Sequence, residues 1–132
     1  MARALLLPVG RDLFAIALDG VREVVERPQP TPLPTAPIAV RGLINVRGET
    51  VPLFDIGALA GAGLGADATF AAVVDSAHGL AALASDGVPE IAELGDAVGP
   101  ADMFGGIATH AVGDRLAVLV DVETLLGPGA AL

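Results

Sequence analysis

The sequence predicts an all-β chain arranged as two small barrels, and three observations lead there. Its apolar runs are short, five to nine residues, rich in Val, Ile, Leu and Ala, and interrupted by Gly, Asp and Pro. That is the spacing of brief strands joined by turns. The chain is 53% hydrophobic yet holds four Phe and neither Tyr nor Trp, so its core is aliphatic. It also repeats itself. Asp19-Gly20-Val21-x-Glu23-Val24 returns as Asp86-Gly87-Val88-x-Glu90-Ile91, and Asp55-Ile56-x-x-Leu59-x-Gly61 returns as Asp121-Val122-x-x-Leu125-x-Gly127, at offsets of 67 and 66 residues. Two matches in one order and at one offset predict two similar units.

The elements follow in chain order. Strands are expected at Ala4–Val9 and Leu13–Leu18. "DGVREVVE" then puts Val21, Val24 and Val25 on one face of a short helical turn, with Asp19 as its N-cap. "RPQPTPLPTAP" (27–37) holds five of the ten prolines and reads as a stiff extended connector. Its one PxxP, Pro34 to Pro37, would also suit an SH3 domain. A hairpin follows, Gly42–Val46 and Val51–Asp55, with Arg47-Gly48-Glu49-Thr50 at its tip. Pro52 cannot donate to a ladder, so its strand is an edge or opens there. "GAGLGAD" (61–67) reads as a flexible linker. Strands are expected again at Thr69–Val74, Gly79–Ala84, Met103–Ala111 and Leu116–Val120, with helical turns at "DGVPEI" and "DVETLLG". The whole is one domain, 1–132, with a first barrel repeat at about 14–61 and a second at about 68–127.

Charge excludes function classes. The net charge is −9, and a chain this acidic and poor in aromatics does not suit nucleic acid. Residues 1–66 hold six Arg and six acids; residues 67–132 hold one Arg and ten acids. One balanced, Arg-bearing half and one acidic half offer two different surfaces, or simply solubility. Without cysteine there is no disulfide and no thiolate metal site. The four apolar residues between Arg3 and Pro8 are too few for a signal-peptide core, and no run approaches a membrane span. The expected location is cytoplasmic.

Catalytic patterns are weak. "GAGLGA" fits a dinucleotide fingerprint, but no helix opens after it. "DSAHG" (75–79) places Asp, Ser and His on one turn, where Ser and His do not readily meet. His78 and His110 have no metal spacing. No catalytic residue, cofactor or metal is predicted.

"RGLINVRGETVPLFDI" resembles the central motif of the CheW-like family of bacterial chemotaxis coupling proteins, with Arg41, Gly42, Asn45, Arg47, Gly48, Pro52 and Asp55 in register. "LFAIALDGVREVVERPQPTPLPTAP", "ALASDGVPEI" and "GDRLAVLVDVETLL" extend the likeness over about residues 5–126. The resemblance implies two five-stranded SH3-like β-barrels on a shared hydrophobic core. It implies a non-catalytic adaptor that joins the regulatory domain of a CheA-type histidine kinase to the cytoplasmic tip of chemoreceptors, recruited to membrane-bound receptor arrays without inserting in the membrane. Assembly into rings with other CheW-like domains belongs to the same expectation. Partner contact is expected at Arg47 and Glu23, with Val21, Val24, Gly42, Ile44, Asn45 and Gly48 around them. Local capping, or pairing with Glu49 or Asp55, is the alternative for Arg47. The second half, rich in Ala and Gly, with "MFGGIATHAV" a loose match, leaves open a scaffold of a type IV pilus or other chemosensory pathway. A small-ligand-binding barrel using the acidic half, and a self-assembling structural module, are the other readings.

Overall fold

The computed structural model describes residues 2–63 and 65–127. Eleven strands make up two sheets. They are β1 (Arg3–Val9), β2 (Asp12–Ala17), β3 (Val21–Glu26), β4 (Val40–Val46), β5 (Glu49–Phe54), β6 (Phe70–Ser76), β7 (Gly79–Ser85), β8 (Glu90–Glu93), β9 (Ala97–Gly99), β10 (Gly106–Val112) and β11 (Arg115–Val120). Two short helices, α1 (Ile56–Leu59) and α2 (Val122–Leu126), follow β5 and β11. One sheet runs β8-β1-β2-β11-β10-β9 and the other β3-β6-β7-β5-β4. Each contains a single parallel pair, β2 with β11 and β7 with β5.

The continuous apolar runs follow from double burial. Along β1, Leu5, Leu7 and Val9 join a cluster that also holds Phe54, Ala72, Val74, Ala81 and Leu83 of the other sheet. Ala4 and Leu6, pointing the opposite way, fill the interior of their own barrel with Ala15, Leu94, Val112 and Ala117. On β6, Ala72 and Val74 face the seam, while Ala71 and Val73 line the second interior with Ile44, Val46, Val51 and Leu53. A strand buried on both faces loses its polar alternation. Leu125 and Leu126 of α2, and Ile56, the first residue of α1, close the seam.

The eight expected strands are all present, with ends shifted by up to three residues. Three others went unread. The segment expected as a helical turn after Asp19 is a 3-10 turn, Leu18–Gly20, followed by strand β3. "DGVPEI" likewise leads into strand β8. In β3 the half-buried positions are Val21, Glu23 and Val25, alternating with exposed Arg22, Val24 and Glu26. Pairing with β6 selects this period of two over the helical one, as suits β-branched valines. β9 is three residues long and makes its sheet six-stranded where five were expected.

The repeat boundaries are corrected too. Segments 14–61 and 68–127 do not each form a barrel, because every sheet draws strands from both. The repeat itself is visible in three dimensions. β3 and β8 are equivalent edge strands, β4–β5–α1 matches β10–β11–α2, and both first strands of the hairpins carry a bulge, at Arg41 and at Ile107. Pro52 lies on an inner strand, and the pairing of β5 with β7 begins only at Leu53. The 27–37 connector, expected to be extended, is tied to β4 by the Thr31–Leu43 bridge and then folds into a turn closed by the Ala36 N–H on the Leu33 carbonyl at 3.2 Å.

Candidate partner-binding surface

β4 and β5 pair from Val40↔Phe54 to Val46↔Glu49, leaving Arg47 and Gly48 as a two-residue loop. Both are left-handed, with φ of 51° and 86°. Two consecutive positive φ values define the mirror-image turn whose twist matches that of the flanking strands. Asn45 steadies it: its Oδ1 accepts from the Gly48 N–H at 3.0 Å. Glycine suits the second position, but an arginine at the first is strained.

The strained arginine is aimed. Its Nε donates to Glu23 Oε2 at 2.8 Å, with the Arg47 side chain 81% exposed and the Glu23 side chain 30%. Glu23 reaches it from the half-buried side of β3, which it shares with Val21 and Val25, next to a bulge between Val21 and Glu23. Next along the strand, Arg22 holds Asp75 at 3.0 Å. The hydrogen bond to Asp75 is the main cause that raises the Arg22 guanidinium above its ordinary value. Arg22, Glu23, Arg47 and Glu49 rim a shallow cleft of about 280 Å³ with Val46, Val73 and Leu80 below. Val24, exposed on the outer face of β3, adds an apolar contact beside it.

The other expected residues are structural in their placement. Ile44 is buried in the barrel interior, and Val21 packs against the seam. Gly42, at φ 141°, lies so close to the connector that a Cβ would sit 2.5 Å from the Thr31 oxygen. Arg47 pairs with neither Glu49 nor Asp55, the partners its position in sequence suggested. Asp55 instead belongs to Arg41, at 2.6 Å.

A second surface escaped the sequence reading. On the other barrel Arg115, which follows the two-residue turn of the β10–β11 hairpin, pairs with Glu90 of edge strand β8. Hydrogen bonding to Glu90 likewise raises its guanidinium above the ordinary value. Val88, Ile91 and Leu116 lie exposed around this pair. The signal was present, since Glu90 and Ile91 are the repeat equivalents of Glu23 and Val24. Both barrels therefore carry a hairpin arginine bonded to an edge-strand glutamate beside exposed aliphatics. Among the described residues no group of His, Cys, Asp or Glu is arranged to hold a metal, and no helix is long and apolar enough to cross a membrane.

Comparison with known proteins finds relatives for the chain and for its fold. The pattern of the CheW-like domain matches residues 3–128. A chemotaxis protein CheW of Klebsiella aerogenes is 29% identical over 132 aligned positions, covering 92% of this chain and 80% of that protein. A chemotaxis protein CheW of Treponema pallidum is 35% identical over 48 residues, 36% of this chain and 28% of that protein. The crystal structure of the scaffolding protein TtCheW from Thermoanaerobacter tengcongensis superposes with a TM-score of 0.82 at 18% identity, over 99% of this chain and 97% of that one.

Proposed function

The chain belongs to the CheW-like domain family, non-catalytic scaffolds of chemotaxis, and from that premise we propose that it couples a CheA-type histidine kinase to chemoreceptors in the cytoplasm. The observation that supports the coupling is the duplicated surface. A scaffold needs two docking sites on one rigid body, and each barrel presents an Arg–Glu pair flanked by exposed aliphatic side chains. Arginine rimmed by apolar residues is the composition of interface hot spots, whereas isolated surface ion pairs contribute little to stability. The shared seam fixes the two surfaces relative to each other, because its buried residues come from both sheets.

In this reading Arg47, Glu23, Val24 and the Asn45–Gly48 turn form one docking surface. Arg115, Glu90, Val88, Ile91 and Leu116 form the other. Calorimetric titration against the regulatory domain of a CheA-type kinase from the same genome, and against a receptor-tip fragment, tests it. Arg47→Ala is expected to weaken one partner about tenfold. Leu116→Glu is expected to weaken the other and leave the first untouched. Wild-type protein that binds neither partner would remove the chemotaxis role.

A further inference from the structure

A second feature lies away from both Arg–Glu pairs. A cleft of about 400 Å³ opens between the connector residues Pro28, Gln29 and Pro30 and the segment Asp67–Ala68, with Leu53 and Arg41 in its wall. The guanidinium of Arg41, whose side chain is 20% exposed, is locked on one side. Nη2 donates to Asp55 Oδ2 at 2.6 Å and to the carbonyls of Gly65 and Ala66 at 2.6 and 3.0 Å, and Nε donates to the same Oδ2 at 3.2 Å. Asp55 is itself 2% exposed and also accepts from the N–H groups of Ala58 and Gly65. Nη1 is left over. Its nearest anion is Asp67 at 3.8 Å, outside hydrogen-bond reach, and the Asp67 side chain is fully exposed. Among the described residues Nη1 has no hydrogen-bond partner.

The walls are rigid as well. The Thr31–Leu43 bridge and the close approach of Gly42 to the Thr31 carbonyl fix the connector against β4. A guanidinium held in one orientation by Asp55, with its remaining nitrogen Nη1 turned to a small cleft and not hydrogen-bonded, is a preorganised donor for a second carboxylate.

We propose that this cleft binds a single carboxylate group, with Arg41 Nη1 as the charged donor, the Gln29 amide as the neutral one, and Asp67 as a resident competitor that the ligand displaces. One free guanidinium nitrogen beside an aspartate, on a chain of net charge −9, suits a monoanion and not a phosphate dianion. The carboxylate is that of an acidic peptide side chain or of a small organic acid. The site is independent of the adaptor reading and its two docking surfaces.

Amide-resolved NMR titration of the full chain at low ionic strength tests this. The probes are the capped peptide acetyl-Ala-Glu-Ala-amide, its glutamine counterpart, and N-acetylglycine. Shifts confined to the amides of Gln29, Thr31, Arg41 and residues 67–69 are expected with the glutamate peptide or N-acetylglycine and not with the glutamine peptide. Response to the peptide alone assigns a peptide ligand, and response to N-acetylglycine alone a small acid; both support the site. Asp67→Asn is expected to tighten binding about threefold by removing the competing charge, and Gln29→Ala to weaken it. No localised shift with either carboxylate, equal shifts with the glutamine peptide, or an Asp67→Asn variant that binds no tighter would each overturn the proposal.

Discussion

Arg47 holds a left-handed conformation that an L side chain resists, and it does so where glycine would serve. Among the described residues its side chain pairs with Glu23 alone, across an exposed ion pair of small stabilising value. Strain without local return points to a role outside the chain. Arg47→Gly is therefore expected to leave stability unchanged, or raise it by up to about 1 kcal/mol, since relief of strain outweighs the added freedom of the unfolded chain. The same variant is expected to lose about tenfold in partner affinity. Urea denaturation beside calorimetry separates the two effects, and a variant that is unstable yet binds normally would make the arginine a structural residue. Asp55 is the opposite case. It is buried, and it ties Arg41, the start of α1 and Gly65 to one point. Asp55→Ala strands Arg41 and is expected to cost about 3 kcal/mol, read as a drop in the urea midpoint at unchanged slope. The family motif carried both residues, but the sequence offered Asp55 as a partner for Arg47. The bulge that turns Arg41 toward it is a feature of strand register, which residue spacing does not reveal.

At the scale of elements, β3 separates what was legible from what was not. Val21, Val24 and Val25 satisfy a helical stripe, and six residues are too few for periodicity to choose between helix and strand. Pairing with β6 decided it, and that partner lies some fifty residues away. The hairpin β4–β5 needed no distant partner, so its two strands were legible, while the tip expected at Arg47–Thr50 narrows to the two-residue turn Arg47-Gly48 because β5 begins at Glu49. The two readings of β3 make different demands on adjacent valines. A helix puts Val24 and Val25 on one face. The strand sends Val24 out to solvent and Val25 in against the barrel interior. Val24→Asp is expected to change stability by less than about 0.5 kcal/mol, and Val25→Asp to cost about 2–3 kcal/mol for an unpaired charge at a half-buried site. Thermal and urea unfolding of the pair would reject the strand if both cost alike.

For the whole molecule, the decisive fact is that neither half of the sequence owns a barrel. One sheet joins β1 and β2 to β8–β11, and the other joins β3–β5 to β6 and β7. The joins are the parallel pairs β2–β11 and β5–β7 and the antiparallel pairs β1–β8 and β3–β6, with the shared seam packed between the two sheets. The repeat was legible because it is local similarity. The exchange of strands was not, because it depends on contacts between distant segments that leave no spacing behind. Physically, the exchange makes the two barrels one cooperative unit. Fragments 1–66 and 67–132 are each left with the strands of half of two barrels and with the seam residues exposed. Each alone is expected to lack dispersed amide resonances and to show little ordered β signal in circular dichroism. Mixed, they are expected to restore the spectrum of the intact chain, since every missing strand is then supplied. The intact chain is expected to unfold in one transition, and Leu7→Ala or Leu83→Ala in the seam to lower it by about 3 kcal/mol without splitting it. Two separate transitions, or one fragment folding alone, would mean that the barrels are independent. The two Arg–Glu surfaces would then be free to move apart, and a scaffold that fixes its partners at a set spacing would need a different source of rigidity.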